Sequence, residues 1–454
     1  MDTFPLNISS LLQDPRYLAG KELLAAVIQE AQTKLTTVAP PKKQLVQQYR
    51  QFITQIDHLR GNPLYYPYLG TGLGNGLFVE LADGSVKYDL IGGIGTHFFG
   101  HSHPGIISAA IDGAIQNSVM QGNLQQNYDS LQLMELLCKT AKMDHLFLST
   151  SGAMACENGL KIIFQKKHPA FRVIAFEGCF MGRTLAMSQI TDKPGFRVGL
   201  PATLFVDYIP FYDPQHPQES TKAALCALYQ HLTRHPGEYA ALIFEPIQGE
   251  RGFYVGSTPF FKAVIQLAKK HNLAIMADEV QTFARTEALF ATQYFGIEED
   301  IDVMTIAKVL QLGATLWKKE YTPQPGLLSQ TFTANTSSIH VALFILHSLL
   351  QGDLYGPNGK IHALYHHFVK RLKKLEPYVQ GPYGAGSMIA FTPFDGTHAK
   401  ATALTQQLFH NGVISFIAGS NPTRIRFLLP AAIMNLDDID RIMDIVETTI
   451  RENL

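Results

Sequence analysis

The chain carries little charge and no surplus of either sign. Only 17% of its 454 residues are Asp, Glu, Lys or Arg, against about a quarter in an average soluble protein. Lys plus Arg number 37 and Asp plus Glu 38, a formal net charge of −1, so no basic field favours nucleic acid or an anionic lipid surface. Cysteine is scarce. Cys138, Cys156, Cys179 and Cys226 form no CxxC pair and are too few for a disulfide framework, which points to free thiols in a reducing compartment. No apolar run reaches membrane-spanning length. The opening MDTFPLNISSLLQDPRYLAG lacks the basic stretch and apolar core of a secretory signal. The expectation is a cytoplasmic protein with neither nucleic acid nor membrane as partner. Internal repeats and low-complexity segments are absent as well.

A chain of this length exceeds one small core, so a large domain and a smaller one are expected. With 46% hydrophobic residues and so few charges, the composition points to much buried surface, with a subunit interface as one place for it. Residues 1 to about 60 read as helical, interrupted at Pro40-Pro41, with apolar residues at helical spacing from Lys21 to Leu35. GTGLGNG at 70–76 reads as punctuation, and LFVELADGSVKYDLIGG after it as a hairpin turning at Asp83-Gly84. From about residue 105, strand-length apolar runs (HLFLST, RVIAF, TLFVDY, YAALIFEP, LAIMADEV and DVMTIA) alternate with helical stretches such as Thr258 to Lys270. That βα alternation predicts an α/β protein with a mostly parallel sheet covered by helices. After about 335, helices with short strands return.

Parallel sheets bind ligands at the carboxyl ends of their strands. The run DVMTIA ends in Lys308, and LAIMA ends in Asp278-Glu279-Val280-Gln281. An amine and a carboxylate therefore reach one rim. Pyridoxal phosphate chemistry needs this pair: an amine to condense with the cofactor aldehyde, and an acid to keep the pyridine nitrogen protonated. Thr150-Ser151-Gly152-Ala153 follows HLFLS and opens the helix MACENGLKIIF. It is either a plain helix cap or a cradle in which free N–H groups hold a phosphate. After RVIAF, Phe180 is placed to stack on a ring and Arg183 to grip a carboxylate, unless this is an ordinary loop with a surface arginine. YAALIF ends in two carboxylates, Glu245 and Glu250. Arg424 and Arg426 alternate on one face, as a second carboxylate anchor or as a solvated strand edge. GTGLGNG does not match the dinucleotide fingerprint. The HxH of His101-Ser102-His103 has no companion ligands, so no metal is expected and Pro104 opens a helix instead. No GxSxG elbow is present.

In order along the chain, ALIFEPIQGERGF, MADEVQTFART and DVMTIAK resemble class III pyridoxal phosphate-dependent aminotransferases, the group of ornithine, acetylornithine, 4-aminobutyrate and putrescine aminotransferases. GHSHP, STSGAMACENGLK, AFEGCFMGRTL, QTFTANT and RIRFLLP support the likeness, which runs from about residue 65 to the C-terminus. The resemblance implies fold type I, with a large domain built on a mostly parallel, seven-stranded sheet and a smaller α+β domain made from both ends of the chain. The corresponding division is 1–95, 96–335 and 336–454. It implies a homodimer with the active site at the subunit boundary, and small-molecule partners: an amino donor and an oxo-acid acceptor, 2-oxoglutarate first.

Carried over by motif, Lys308 is the Schiff-base lysine and proton shuttle, and Asp278 pairs with the pyridinium. Gln281 bonds the phenolic oxygen, and Phe180 stacks on the ring. Ser151, Gly152 and Ala153 form the phosphate loop, and Thr331 reaches the phosphate of the neighbouring subunit. Arg426 binds a carboxylate, Glu250 pairs with it while an ω-amino group reacts, and Arg183 is a second carboxylate anchor. The N-terminal extension resembles that of the longer diamine and lysine members. Several positions depart from the family pattern. Met154 replaces a carboxylate, Met181 replaces an aromatic, and DEVQTFARTE has lost a glycine. Val309-Leu310-Gln311-Leu312 stands where glycines follow the lysine, Phe332-Thr333-Ala334-Asn335-Thr336 replaces FGGNP, and the stretch between Lys308 and Thr331 is short. These departures leave the donor open. Racemase, aminomutase or decarboxylase chemistry on the same scaffold is the alternative reading, and a pyridoxal phosphate-fold binding or structural protein is a further one.

Overall fold

The computed structural model describes residues 6–453, save the side chain of Met120; residues 1–5 and 454 lie outside the described residues, as does that part of the expected helical start. A seven-stranded sheet forms the centre. From one edge to the other its strands are His145–Ser149, Gly313–Trp317, Val303–Ile306, Ala274–Asp278, Tyr239–Phe244, Arg172–Phe176 and Phe205–Ile209. All neighbours pair in parallel except Gly313–Trp317, which runs antiparallel to both of its partners. The protein is thus α/β with a mixed, mostly parallel sheet. The six expected strand runs all form. Gly313–Trp317 is an addition: GATLW follows the altered stretch after Lys308 and carries no helix-to-strand alternation to reveal it.

Four of these strands, Tyr239–Phe244, Ala274–Asp278, Val303–Ile306 and Gly313–Trp317, are buried along their whole length. Helices on both faces shut out water, which is why the sequence shows continuous apolar runs instead of alternation. Helix Gly152–Lys167 lies on the sheet so closely that a Cβ at Gly159 would stand 3.1 Å from both Met276 and Val303. Thr315 Oγ1 donates to the carbonyl of Ala155 at 2.8 Å, fixing the height of that helix, and with it its N-terminus, above the sheet.

The hairpin Phe78–Leu81 with Val86–Asp89 forms as expected. The preceding glycines do not act as punctuation. Gly70–Asn75 is a third strand, antiparallel to Phe78–Leu81 with an irregular register. Gly74 is needed for close approach, since a Cβ there would lie 2.4 Å from the Cβ of His101. Val413–Ile414 adds to this sheet parallel to Tyr88–Asp89, which ties the C-terminal segment to the N-terminal one. A separate antiparallel sheet orders Val379–Ala385, Met388–Pro393, Arg424–Leu428 and Phe416–Ala418. Helices Pro15–Gln32 and Val46–Arg60 make up most of the N-terminal extension. Among the described residues no helix is long and apolar enough to cross a membrane, and all four cysteines are free thiols.

Candidate active site

Strands Ala274–Asp278 and Val303–Ile306 set the geometry of the rim. Their register places Asp278 opposite Thr305, and the chain reaches Lys308 three residues later. Asp278 Oδ1 accepts from the Val280 N–H at 2.8 Å and from Thr305 Oγ1 at 3.0 Å. Among the described residues its Oδ2 hydrogen-bonds only with the Cys156 thiol, at 3.6 Å. One oxygen is saturated and the other is left for a cationic partner. Burial pushes the pKa of this carboxyl up, opposed by those donors and by the nearby Lys308.

Lys308 is half-buried and lines the cavity described below. Burial lowers its pKa to about 8, while Glu250, Asp278 and Glu245 pull it up and Arg426 pushes it further down. Its backbone lies in the left-handed region, φ 51°. That conformation costs a non-glycine residue about 1–2 kcal/mol, strain of the kind that persists where surrounding structure fixes a functional side chain.

A single cavity of about 570 Å³ holds most of the expected residues: Ser151, Gly152, Ala153, Phe180, Arg183, Asp278, Gln281 and Lys308 all line it. Ser151 caps the helix Gly152–Lys167 through its Oγ, which accepts from the Met154 N–H at 3.3 Å. The N–H groups of Gly152 and Ala153 remain at the head of the helix dipole, where an anion binds. A Cβ at Gly152 would lie 2.8 Å from Val280 and 3.3 Å from Ala307, so glycine keeps the loop close to the strand ends. Gln281 is buried and its Oε1 has no partner. A Cβ at Gly249 would stand 2.1 Å from that oxygen.

These features fit pyridoxal phosphate. A carboxylate oxygen left open suits a pyridinium, an unpartnered amide oxygen suits a phenolic O–H, two open N–H groups at a helix start suit a phosphate, and an amine in the cavity wall suits the aldehyde.

Glu250 and Arg426 also meet. Arg426 Nη2 donates to Glu250 Oε1 at 2.7 Å and Nη1 to the carbonyl of Gly249 at 3.0 Å. Arg426 holds Glu250 below the ordinary carboxyl pKa against the upward push of burial, with help from Lys308. The solvated-edge alternative for Arg424 and Arg426 fails, because both are buried. Strand Arg424–Leu428 is an interior strand. Arg424 stands 3.4 Å over the Tyr383 ring and 4.1 Å over that of Tyr254, and it donates to the carbonyl of Gly252 at 2.6 Å. It is a packing residue. Arg183 lies 3.7 Å over the ring of Phe196. Thr331 is exposed and outside the cavity lining.

The structure adds residues that sequence reasoning did not assign. Glu245 lines the cavity. Its Oε2 accepts from the Phe180 N–H at 2.8 Å and its Oε1 from the Gly249 N–H at 3.0 Å, so it fastens the aromatic loop to the start of the Glu250 segment. Burial, with the charge of Asp278 close by, pushes its pKa up to about 8. Thr96 and His97 enter the wall from the stretch that follows the hairpin, and Cys156 from the helix behind Asp278. The position of Glu245 at a strand end was the one signal available; the others had none. Met181 and the altered residues Gln311 and Leu312 line the same cavity.

A family profile described as "Aminotransferase class-III" matches residues 69–450. Acetylornithine aminotransferase of Archaeoglobus fulgidus is 28% identical over 82% of this chain and 93% of its own length. 2-aminoadipate transaminase of Pseudomonas putida is 30% identical over 82% and 92%. The crystal structure of acetylornithine aminotransferase from Elizabethkingia anophelis superposes with a TM-score of 0.73 at 25% identity, covering 88% of this chain and 99% of that one.

Proposed function

Because the chain belongs to the class III aminotransferase family, a pyridoxal phosphate-dependent group, we propose that it moves an amino group from an ω-amine or amino acid of the ornithine, acetylornithine, lysine or diamine type to 2-oxoglutarate. The observation that carries the donor class is the 2.7 Å contact between Glu250 and Arg426. While Glu250 covers Arg426, that guanidinium is closed to an α-carboxylate, and a distal amine can approach with its carboxylate, if any, directed towards Arg183. When Glu250 withdraws, Arg426 can hold the carboxylate of the oxo acid. The names of the relatives, acetylornithine and 2-aminoadipate transaminases, fit substrates with polar groups at both ends.

The cofactor, when bound, supplies an electron-accepting ring. The chain supplies the rest. In the proposed assignment Asp278 Oδ2 faces the ring nitrogen, Gln281 the phenolic oxygen, and the N–H groups of Gly152 and Ala153 the phosphate behind Ser151. Phe180, anchored by Glu245, packs against the ring. Lys308 would hold the cofactor aldehyde and, as a free amine, would be the base that moves a proton at the substrate carbon. Its pKa of about 8 suits that task, since a base works best near the operating pH.

Two tests follow. A panel of ornithine, acetylornithine, lysine, 4-aminobutyrate and putrescine with 2-oxoglutarate is expected to yield glutamate from at least one ω-amine; glutamate from plain α-amino acids alone overturns the donor reading. The apoprotein is expected to take up pyridoxal phosphate faster as pH rises from 6.5, because only the neutral amine attacks, with the gain levelling off above about 8. The rise in visible absorbance after mixing measures this, and a pH-independent rate contradicts it.

The protein is further read as a cytoplasmic homodimer. Free thiols support the compartment. Exposed Leu124 (83%) and Phe332 (64%) support a second subunit covering this side, with exposed Thr331 directed to the partner's phosphate. The 96–335 segment is taken as the cofactor-binding domain. Segments 1–95 and 336–454 are taken as the smaller one, supported by the pairing of Val413–Ile414 with Tyr88–Asp89.

A further inference from the structure

Three cations stand near Glu250: Arg426, Lys308 and Lys193, and two of them pair with it. Its Oε1 bonds Arg426 at 2.7 Å, and its Oε2 lies 3.8 Å from Nζ of Lys193. No motif in the sequence pointed to Lys193. It precedes the short turn Pro194–Phe196, in a segment tied to the Phe180 loop. The Asp192 N–H donates to the carbonyl of Cys179 at 2.9 Å. Asp192 Oδ2 accepts from the Gly178 N–H at 2.7 Å, and Thr191 Oγ1 donates to the carbonyl of Gly182 at 2.9 Å. The base of Lys193 is therefore fixed to the same loop as Phe180 and Arg183. Its ammonium stands 5.3 Å over the ring of Phe196, which also carries the Arg183 guanidinium at 3.7 Å. Among the described residues Lys193 makes no ion pair except with Glu250.

The three partners differ in freedom. The Arg426 side chain is 0% exposed, Glu250 19% and Lys193 31%. Arg426 has nowhere to go, so any rearrangement of the pair must move Glu250. A carboxylate that leaves its partner in a half-buried site is costly unless another cation receives it. Lys193 is the cation that pairs with its other oxygen, and Lys308, also nearby, is given to the cofactor in the proposed function. At 3.8 Å it is a charged neighbour and not yet a hydrogen bond, for which about 2.7–2.9 Å is usual. A shift that brings Oε2 about 1 Å closer to Nζ would make that bond.

We propose that Lys193 is the second resting place of Glu250, a specificity-determining residue that sets how readily the site passes from the ω-amine donor, with Arg426 covered, to the oxo-acid acceptor, with Arg426 free. This rests on the reading of Glu250 and Arg426 given above.

The test uses holoenzyme variants K193M, K193R, E250Q and the K193M/E250Q double variant. Methionine keeps an apolar stem over Phe196 and drops the charge. K193M is expected to lower kcat/KM for 2-oxoglutarate about tenfold, the effect of losing one partner of a partly buried ion pair, and to weaken binding of the unreactive dicarboxylate glutarate by a similar factor. Its kcat/KM for the ω-amine should stay within about twofold, and K193R should restore the acceptor value. In the E250Q background, K193M should add nothing. Equal losses for donor and acceptor, unchanged glutarate affinity, or a K193M effect that persists in E250Q would each overturn the proposal. If E250Q leaves the preference for ω-amines untouched, the reading of Glu250 falls; if E250Q shifts that preference and K193M does not affect the acceptor, only the role of Lys193 falls.

Discussion

Replacing Lys308 with alanine is expected to cut turnover by at least about 10⁴-fold, since the substitution removes both an attacking amine and a proton carrier, and general acid–base catalysis alone contributes about 10²–10⁴. The variant should still fold. Alanine keeps the Cβ of a residue whose backbone already lies at φ 51°, and it removes an amine that burial disfavours in its charged form. It should also still bind pyridoxal phosphate, because Asp278, Gln281 and the loop at Gly152 are untouched. The visible absorbance of a lysine-bound cofactor should be absent. K308R sharpens the test. It keeps a positive charge near Glu250, but a guanidinium stays protonated, so it can neither attack nor carry a proton and should be as inactive as the alanine variant. Turnover within tenfold of the parent in either variant would remove Lys308 from the chemistry. The same result in K308A alone would show that some other base performs the transfer.

The sequence disclosed this centre where chemistry coincides with strand ends. Lys308 and Asp278 each close an apolar run, and the parallel register of Asp278 with Thr305 converts two distant stretches into one rim. The helix start at Ser151 and Gly152 was legible for a similar reason, because a strand that runs directly into a helix puts free N–H groups at that rim. What stayed hidden is contributed across the fold. Thr96 and His97 arrive from the segment that follows the N-terminal hairpin, and nothing in GTHFF announces a cavity wall. Lys193 belongs to a loop whose position depends on bonds to residues 178–182. Gly313–Trp317 is antiparallel and breaks the βα rhythm that revealed its neighbours. Alternation in RIRFL placed Arg424 and Arg426 on one face correctly. It could not show that this face is interior, because a two-residue period is the same for a solvated edge and for a strand packed against Tyr254, Tyr383 and Gly249.

Asp278→Asn separates charge from shape at the other end of the cofactor. An asparagine presents its oxygen to the same two donors, the Val280 N–H at 2.8 Å and Thr305 Oγ1 at 3.0 Å, so the local structure should persist. Its amide nitrogen then replaces Oδ2, the atom that among the described residues hydrogen-bonds only with the weak Cys156 thiol at 3.6 Å and that the proposed function gives to the ring nitrogen. A neutral donor there cannot hold the ring nitrogen in its protonated form, and the ring loses its capacity to accept electrons. Removing one such preorganised electrostatic partner costs about 10²–10³ in kcat, or about 2.7–4 kcal/mol, and a loss of that size is expected with little change in KM for the donor. Apoprotein stability should move the other way. Burial raises the Asp278 pKa above its ordinary 3.8, so at neutral pH the folded apoprotein bears the cost of a desolvated charge that the unfolded chain does not. That cost is present above the folded-state pKa and vanishes as pH falls below the ordinary one. Apo D278N should therefore melt no lower than the apo parent at pH 7.5, and the holoenzyme should lose part of its cofactor-dependent rise in Tm. A variant that melts lower as apoprotein yet keeps its kcat would mean that Asp278 supports the strand end and not the ring.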